Sequence, residues 1–307
     1  MNKEINFTNC KIVAGRAYNG ANGKKLPIEY DGSLYMLKFP PSTKNKPTEL
    51  SYSNSCISEH IASNIFNMLG VTAHETILGI YEINGKSKIV CACKDFVTEN
   101  KTLYDFCSIK NTVIDSEHGG TGTDLNDILE TIEKQTFVNP KELLEHFWDM
   151  FVVDAFLGNF DRHNGNWAFL YDNQTDTSTI SPIYDCGSCL LPQADENIMN
   201  KVISDRGELE SRVYTFPTSA IKLNGQKINY YDFLSKTDNV DCIDSLNRII
   251  PRIDIEKINT FIDNVPYISD LQKDFYKIYI AARMEMIIEP VFEHIHELIF
   301  NEPELTM

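Results

Sequence analysis

The chain has 307 residues, 42% of them hydrophobic and 23% charged, with a formal net charge of -16. That length supports a substantial core in one large or two modest domains, and an acidic chain without a Lys/Arg run excludes a direct nucleic-acid surface. No apolar run approaches the ~18 residues of a membrane span, and the opening MNKEINFTNCK lacks the apolar core of a signal peptide.

In chain order, residues 10–39 read as a β-meander. CKIVAGRAY is a strand, NGANGKK a Gly-rich turn, LPIEY a second strand, Asp31-Gly32 a hairpin turn and SLYMLKF a third strand. Pro40-Pro41 stops the sheet and a polar loop follows. A helix is expected from about Ser51 to Leu69, because Ile57, Ile61, Ile65 and Leu69 recur every four residues and Gly70 supplies a stop. TILGIYEI and KSKIVCACKDF flank Asn84-Gly85, a strong hairpin signal. The first hundred residues thus predict a five-stranded sheet with one helix.

The composition then changes. Residues 111–124 are polar and Gly-rich, a surface loop. DLNDILETIEK and PKELLEHFWDMFVVDAFLG read as helices, the second with a broad apolar stripe of Leu144, Phe147, Trp148, Phe151, Ala155 and Phe156. WAFLYD and STISPIYD are short strands. Beyond Pro192 the chain reads as mostly helical, ending in a long helix from about Ile268 to Phe300. The fold class expected is α+β: a β-rich lobe over residues 1–96 and a mainly helical lobe over residues 97–307.

Chemistry concentrates in Asp161-Arg162-His163-Asn164-Gly165-Asn166 and, nineteen residues past Asn166, in Asp185-Cys186-Gly187. An Asp with an Asn five positions on, then a D-x-G tripeptide, is the spacing of a phosphotransfer site. Asp161 is the candidate base for a substrate hydroxyl, while Asn166 and Asp185 are candidate Mg²⁺ ligands of the oxygen type that ion prefers. His163 could assist proton handling, and Arg162 reads as a structural charge partner. Upstream, Lys38 ends the strand Tyr35-Met36-Leu37-Lys38, as a phosphate-binding lysine does, and Glu59 lies on the only helix of the first lobe, placed to pair with it. Gly20, Ala21, Asn22, Gly23 and Lys24 form a turn whose backbone could cradle phosphates, although it matches neither standard Gly-rich motif. A hinge at Cys93-Lys94-Asp95-Phe96 would present backbone groups at Lys94 and Phe96 to adenine. ATP and Mg²⁺ are the cofactors these groups call for.

The eight cysteines do not form a disulfide framework at this chain length, so cytosolic free thiols and a cytoplasmic protein are expected, with export by a signal-less route leaving no trace to read. Cys91 and Cys93 alternate onto one face of a strand as core thiols. Cys186-Gly-Ser-Cys189 has C-x-x-C spacing, but no second such pair completes a zinc site.

The run Gly158-Asn159-Phe160-Asp161-Arg162-His163-x-x-Asn166, with Ser181-Pro182-Ile183-Tyr184-Asp185-x-Gly187-Ser188, resembles the HipA-like serine/threonine kinases, especially their compact members. The likeness runs from the Gly-rich turn through Pro251-Arg252-Ile253-Asp254. It includes Tyr35-Met36-x-Lys38-Phe39-Pro40, Ala92-Cys93-Lys94-Asp95-Phe96 and Asn229-Tyr230-Tyr231-Asp232-Phe233-Leu234. The resemblance implies a two-lobed kinase fold, ATP with Mg²⁺, and transfer to Ser or Thr of a protein substrate, with autophosphorylation. It assigns Asp161 as base, Asn166 and Asp185 as metal ligands and Lys38 as the phosphate lysine. HipA toxins carry an extra N-terminal subdomain and act with a DNA-binding antitoxin. This chain starts almost at the first kinase strand, so that partner is not carried over, and neither is a nuclear-targeting basic tail. Two other readings stay open: a lipid or small-molecule kinase, whose loops share D-R-H-x-x-N, and a nucleotide-binding module without turnover. A membrane partner is not expected, for want of a basic amphipathic face. The sequence does not set the oligomeric state.

Overall fold

The computed structural model describes residues 4–18, 23–41 and 52–300, with side chains as far as residue 294. An antiparallel five-stranded sheet opens the chain, in the order β1-β2-β3-β5-β4. Its members are β1 (Lys11–Ile12), β2 (Lys25–Tyr30), β3 (Ser33–Lys38), β4 (Thr76–Ile83) and β5 (Lys86–Lys94), with helix α1 (Ser55–Met68) inserted between β3 and β4. Both predicted hairpin turns form. Asp31 and Gly32 take φ of 47° and 71°, Asn84 and Gly85 take 51° and 71°, the paired left-handed geometry that suits the twist of two-residue hairpins.

The first strand is much shorter than its apolar run predicts. Val13 donates its N–H to the Pro27 carbonyl, and Pro27 has no N–H to return, so the β1–β2 ladder ends there. The helix expected from Ser51 starts at Ser55. Ahead of it the Asn54 side chain donates to the Ala194 carbonyl at 2.7 Å instead of capping α1, and its N–H donates to Pro192 at 3.0 Å.

The second part begins with β6 (Lys101–Asp105) and α2 (Phe106–Val113), neither anticipated from sequence. Helices α3 (Leu125–Lys134) and α4 (Pro140–Leu157) follow, then strands β7 (Ala168–Asp172) and β8 (Thr177–Ile180), which complete a small antiparallel sheet in the order β6-β7-β8. The rest is α5 (Glu196–Ser204), α6 (Arg206–Glu210), a hairpin of β9 (Lys222–Leu223) and β10 (Gln226–Lys227), and helices α7 (Tyr230–Leu234), α8 (Val240–Ile249), α9 (Ile255–Asp263), α10 (Asp270–Arg283) and α11 (Glu289–Phe300). The long terminal helix is nearly as predicted, but a π-turn over Met284–Ile288 joins α10 to α11. Pro290 explains it: a proline inside a helix lacks an N–H and crowds the preceding turn, which widens to admit it.

Helix α4 is buried over most of its length and forms the axis of the helical part. The core does not stop at the end of the sheet. Ile57, Ile61, Ile65 and Phe66 of α1 belong to the same contiguous apolar cluster as Phe151 of α4 and Tyr276 of α10, whereas Ile28, Leu37 and Val90 pack with Phe7 in a separate cluster. Among the described residues no helix is long and apolar enough to cross a membrane.

Candidate active site

The Gly158 residue that ends α4 is left-handed (φ 65°), which lets the chain turn back sharply into the Asp161 loop. A Cβ there would meet Pro217 Cγ at 2.8 Å and Tyr279 Oη at 2.9 Å. The fully buried Arg283 donates to the carbonyls of Ala155 and Phe156, satisfying groups left open at the end of α4. One turn earlier, Asp154 accepts from Asn159 Nδ2 at 2.7 Å and from Arg162 Nε at 2.8 Å. Arg162 is 2% exposed. Its guanidinium also donates to the carbonyls of Asn166 (2.9 Å) and Tyr184 (2.6 Å), so a single planar fork joins the Asp161 loop to the residue before Asp185. Asp161 N–H donates to Asn159 Oδ1 at 3.0 Å, and Asn166 Nδ2 donates to the Asp161 carbonyl at 2.7 Å. That last bond orients the Asn166 amide and leaves Oδ1 as the atom able to face a metal.

Asp185 comes from the other direction. Ile183 N–H donates to Thr72 and the Ile183 carbonyl accepts from His74 N–H, a short parallel bridge that docks the D-x-G segment against the chain entering β4. Asp185 itself is left-handed (φ 58°), an unusual conformation for a side-chain-bearing residue and one that Asp tolerates.

These supports bring four of the expected residues into one cleft. Lys38 Nζ lies 2.9 Å from Glu59 Oε2 and 2.9 Å from Asp185 Oδ1, and Asp161 lines the same cleft with Lys25, Tyr52 and Ser188. Burial works against the Lys38 charge, but Asp185 and Glu59 outweigh it and hold Lys38 well above its ordinary value. Burial likewise opposes ionised Glu59, yet Lys38 and His74 keep it below the usual carboxylate range. Lys38 lowers Asp185 despite its burial. Asp161 moves the other way. Burial raises it and Asp185 adds to the rise, with His163 opposing.

The remaining expected residues are placed differently. His163 is on the surface, with Nδ1 accepting the Gly165 N–H at 3.0 Å, so its ring folds onto its own loop and does not line the cleft. Lys94 pairs with Glu75 at 2.9 Å on the surface, and its N–H is spent on the Glu75 carbonyl, which removes it as a donor to adenine. Phe96 is half-buried against the Tyr184 ring at 6.0 Å. Gly20, Ala21 and Asn22 lie outside the described residues. Gly23 (φ 70°) brings its backbone so close to Phe39 that a Cβ would sit 2.4 Å from that carbonyl oxygen, and Lys24 Nζ lies over the Phe39 ring at 5.2 Å.

Sequence reasoning missed His74, took Lys25 only as a charge at the end of the Gly-rich turn, and gave the Asp95 side chain no role. Lys25 is opposite Lys38 across the β2–β3 ladder, and burial lowers it in spite of Asp185 nearby. His74 Nε2 lies 2.9 Å from Glu59 Oε1, behind the Lys38 pair. Asp95, its side chain nearly buried just past β5, receives Arg16 at 2.7 Å and the Tyr18 hydroxyl at 2.7 Å, tying the segment before the Gly-rich turn to the end of the sheet. The register opposite Lys38 could have flagged Lys25. The other two depend on contacts between segments distant in sequence.

Comparison with known proteins bears on the same residues. Residues 16–254 match the family described as the HipA-like C-terminal domain. The chain is 50% identical over 286 residues to the serine/threonine-protein kinase CtkA of Helicobacter pylori strain J99, covering 93% of this chain and 86% of that protein. A crystal structure of a Helicobacter pylori proinflammatory kinase CtkA superposes with a TM-score of 0.91 at 48% identity, over 96% of this chain and 99% of the other. HipA of Shewanella oneidensis MR-1, solved with HipB and operator DNA, shares the fold at a TM-score of 0.56 and 17% identity, over 92% of this chain and 70% of that one.

Proposed function

Because the chain belongs to the HipA-like kinase family and is a serine/threonine-protein kinase, we propose that it transfers the γ-phosphate of ATP, with Mg²⁺, to a Ser or Thr hydroxyl of a protein substrate. The observation that carries this reading is Lys38 Nζ at 2.9 Å from both Glu59 and Asp185, with Asp161 in the same cleft. Phosphoryl transfer rests mostly on positioning and charge, and those groups supply both.

Lys38, kept charged by its two carboxylates, is the cation for phosphate oxygens, and Glu59 fixes its direction. Lys25 adds a second amine on the neighbouring strand. Asp161 accepts the hydroxyl proton. Its raised affinity for a proton makes it a better base than a solvated aspartate, while its N–H bond to Asn159 holds it in place. Asp185 and Asn166 fit a hard cation. Both offer carboxylate or amide oxygens, Asp185 has a second oxygen beyond the one on Lys38, and the Asn166 amide is already oriented. Mg²⁺ held there would neutralise charge on the phosphates. The acceptor is a protein, and neither nucleic acid nor membrane is assigned as a partner.

Autophosphorylation is part of the proposal, with a restriction. Asn19 to Lys25 contains no Ser or Thr, and Tyr18 is bonded to Asp95, so phosphate should fall outside residues 18–25. Incubation with γ-labelled ATP, Mg²⁺ and a cell lysate, followed by mapping of the phosphorylated residues, tests the function. Label on Ser and Thr of a few proteins, above an enzyme-free control, is expected. Label confined to lipids or small metabolites would overturn the reading.

A further inference from the structure

Behind the Lys38–Glu59 pair, Glu59 meets two donors that phosphotransfer does not use, His74 and Cys93. Glu59, His74 and Cys93 are 1%, 4% and 1% exposed, and one ligand atom from each lies within 4.8 Å of the others. Both Glu59 oxygens and His74 Nε2 are buried without a hydrogen bond of good geometry. The polar partners of Glu59 are the ion-pair contacts at 2.9 Å with Lys38 and with His74. We infer that Glu59, His74 and Cys93 form a binding site for a borderline-soft divalent cation of the zinc class.

The donor set selects the metal. One carboxylate oxygen, one imidazole nitrogen and one sulfur are the ligand types of zinc, while magnesium takes oxygen and keeps its waters. Around a tetrahedral zinc, neighbouring donors sit about 3.3–3.8 Å apart. The observed spread, from 2.9 Å between His74 and Glu59 up to the 4.8 Å limit, closes on that geometry with shifts of about 1 Å or less. Cys91 Sγ lies 3.9 Å from Cys93 Sγ but stands outside the group that meets Glu59 and His74, so Cys93 is the one thiol of the site and water would complete the tetrahedron.

Outer contacts already orient the ligands. Lys38 holds Glu59 Oε2, which leaves Oε1 on the His74 side for the metal, and the His74 backbone is fixed by its N–H bond to Ile183. The ligands come from α1, from the chain entering β4 and from β5, which is why no sequence spacing announces them. A cation there would tie α1 to the sheet without taking Glu59 from Lys38.

The test uses Co²⁺, which reports thiolate ligation by absorption, on the reduced, chelator-treated full chain. One equivalent should bind with a sulfur-to-cobalt charge-transfer band, and Zn²⁺ should displace it. Cys93→Ser should lose the band and bind at least about tenfold more weakly, whereas Cys186→Ser should behave as wild type. Zn²⁺ should raise the melting temperature of wild type but not of Cys93→Ser. Absence of stoichiometric binding to folded, reduced protein would overturn the site, as would a band that survives in Cys93→Ser. If that variant does not fold, zinc-edge X-ray absorption of the wild-type complex decides. Sulfur together with nitrogen and oxygen scatterers is expected, and a shell without sulfur refutes the site. Every readout is independent of phosphotransfer.

Discussion

At the scale of single residues, the buried charges of the cleft stay ionised because each has a partner. Lys38 is the clearest case, with Glu59 and Asp185 on either side. Lys38→Met leaves Asp185 without its ion-pair partner, leaves Glu59 only His74, and removes the phosphate contact. Nucleotide affinity measured by calorimetry should fall at least about tenfold, and unchanged affinity would remove Lys38 from the site. Asp185→Ala should abolish the Mg²⁺ dependence of nucleotide binding; equal dependence in variant and wild type would count against Asp185 as a ligand. The Arg162–Asp154 pair makes a stability claim. Asp154→Ala strands a guanidinium that is 2% exposed, at a cost of about 3–5 kcal/mol of unfolding free energy measured by denaturant titration. A loss below about 1 kcal/mol, the range of a surface pair, would show that the charge finds water or another partner. Lys38, Glu59, Asp161 and Asp185, which the structure gathers in one cleft, could be picked out from their order along the chain and the elements that carry them; Asn166 does not line that cleft. Lys94 and His163 could not be judged that way. Whether a side chain faces the cleft or the solvent depends on local turns, here the Gly165 bond to His163 and the Glu75 pair.

Among the elements, the hairpins were the most legible part of the fold, since Asp31-Gly32 and Asn84-Gly85 stand between apolar runs and take the positive φ that a two-residue hairpin needs, which Asn164-Gly165 in the Asp161 loop does not. The same signal at Asn224-Gly225 (φ 52° and 79°) marks the β9–β10 hairpin, inside a stretch that reads as helical. The short β1 was not legible, because its end depends on Pro27 of the partner strand. Strand β6 and helix α2 were hidden for a similar reason. Phe106 earns its place by stacking on Trp167 at 3.8 Å, a contact invisible in the local pattern. Helix α1 carries a pH-sensitive element. His60 accepts or donates at 2.9 Å to Thr76 Oγ1 and packs 5.7 Å from Phe261, and burial lowers it from 6.5 to about 4. The unfolded chain takes up this proton first, so the folded state loses stability as pH falls from 6.5 towards 4, with no further loss from this group below that. Denaturant midpoints of wild type and His60→Gln should therefore converge over that interval. Parallel curves would show that His60 does not titrate in this way.

At the scale of the molecule, helix α1 and the face of the sheet carrying Leu78, Cys91 and Cys93 share the core of the helical part, while Ile28, Leu37 and Val90 pack with Phe7. Helix α1 gives its apolar face to the same cluster as α4 and α10, Asn54 is bonded to Pro192 and Ala194, and Arg252 donates to the Leu69 carbonyl at 3.1 Å. Composition suggests a break near residue 96, but it does not show that the first part relies on the second for burial. A fragment of residues 1–96 should accordingly lack a cooperative thermal transition. A sharp transition in the fragment would show that the sheet and α1 suffice.

The central claim is that Asp161 serves phosphotransfer in a cleft built by Lys38, Glu59 and Asp185. The most direct measurement is single-turnover transfer from ATP–Mg²⁺ by wild type and Asp161→Asn, with nucleotide affinity measured on the same preparations. Transfer slowed by about 10²–10⁴-fold at nearly unchanged affinity is the result expected of a base that acts in the transition state. Transfer within a few-fold of wild type would contradict it.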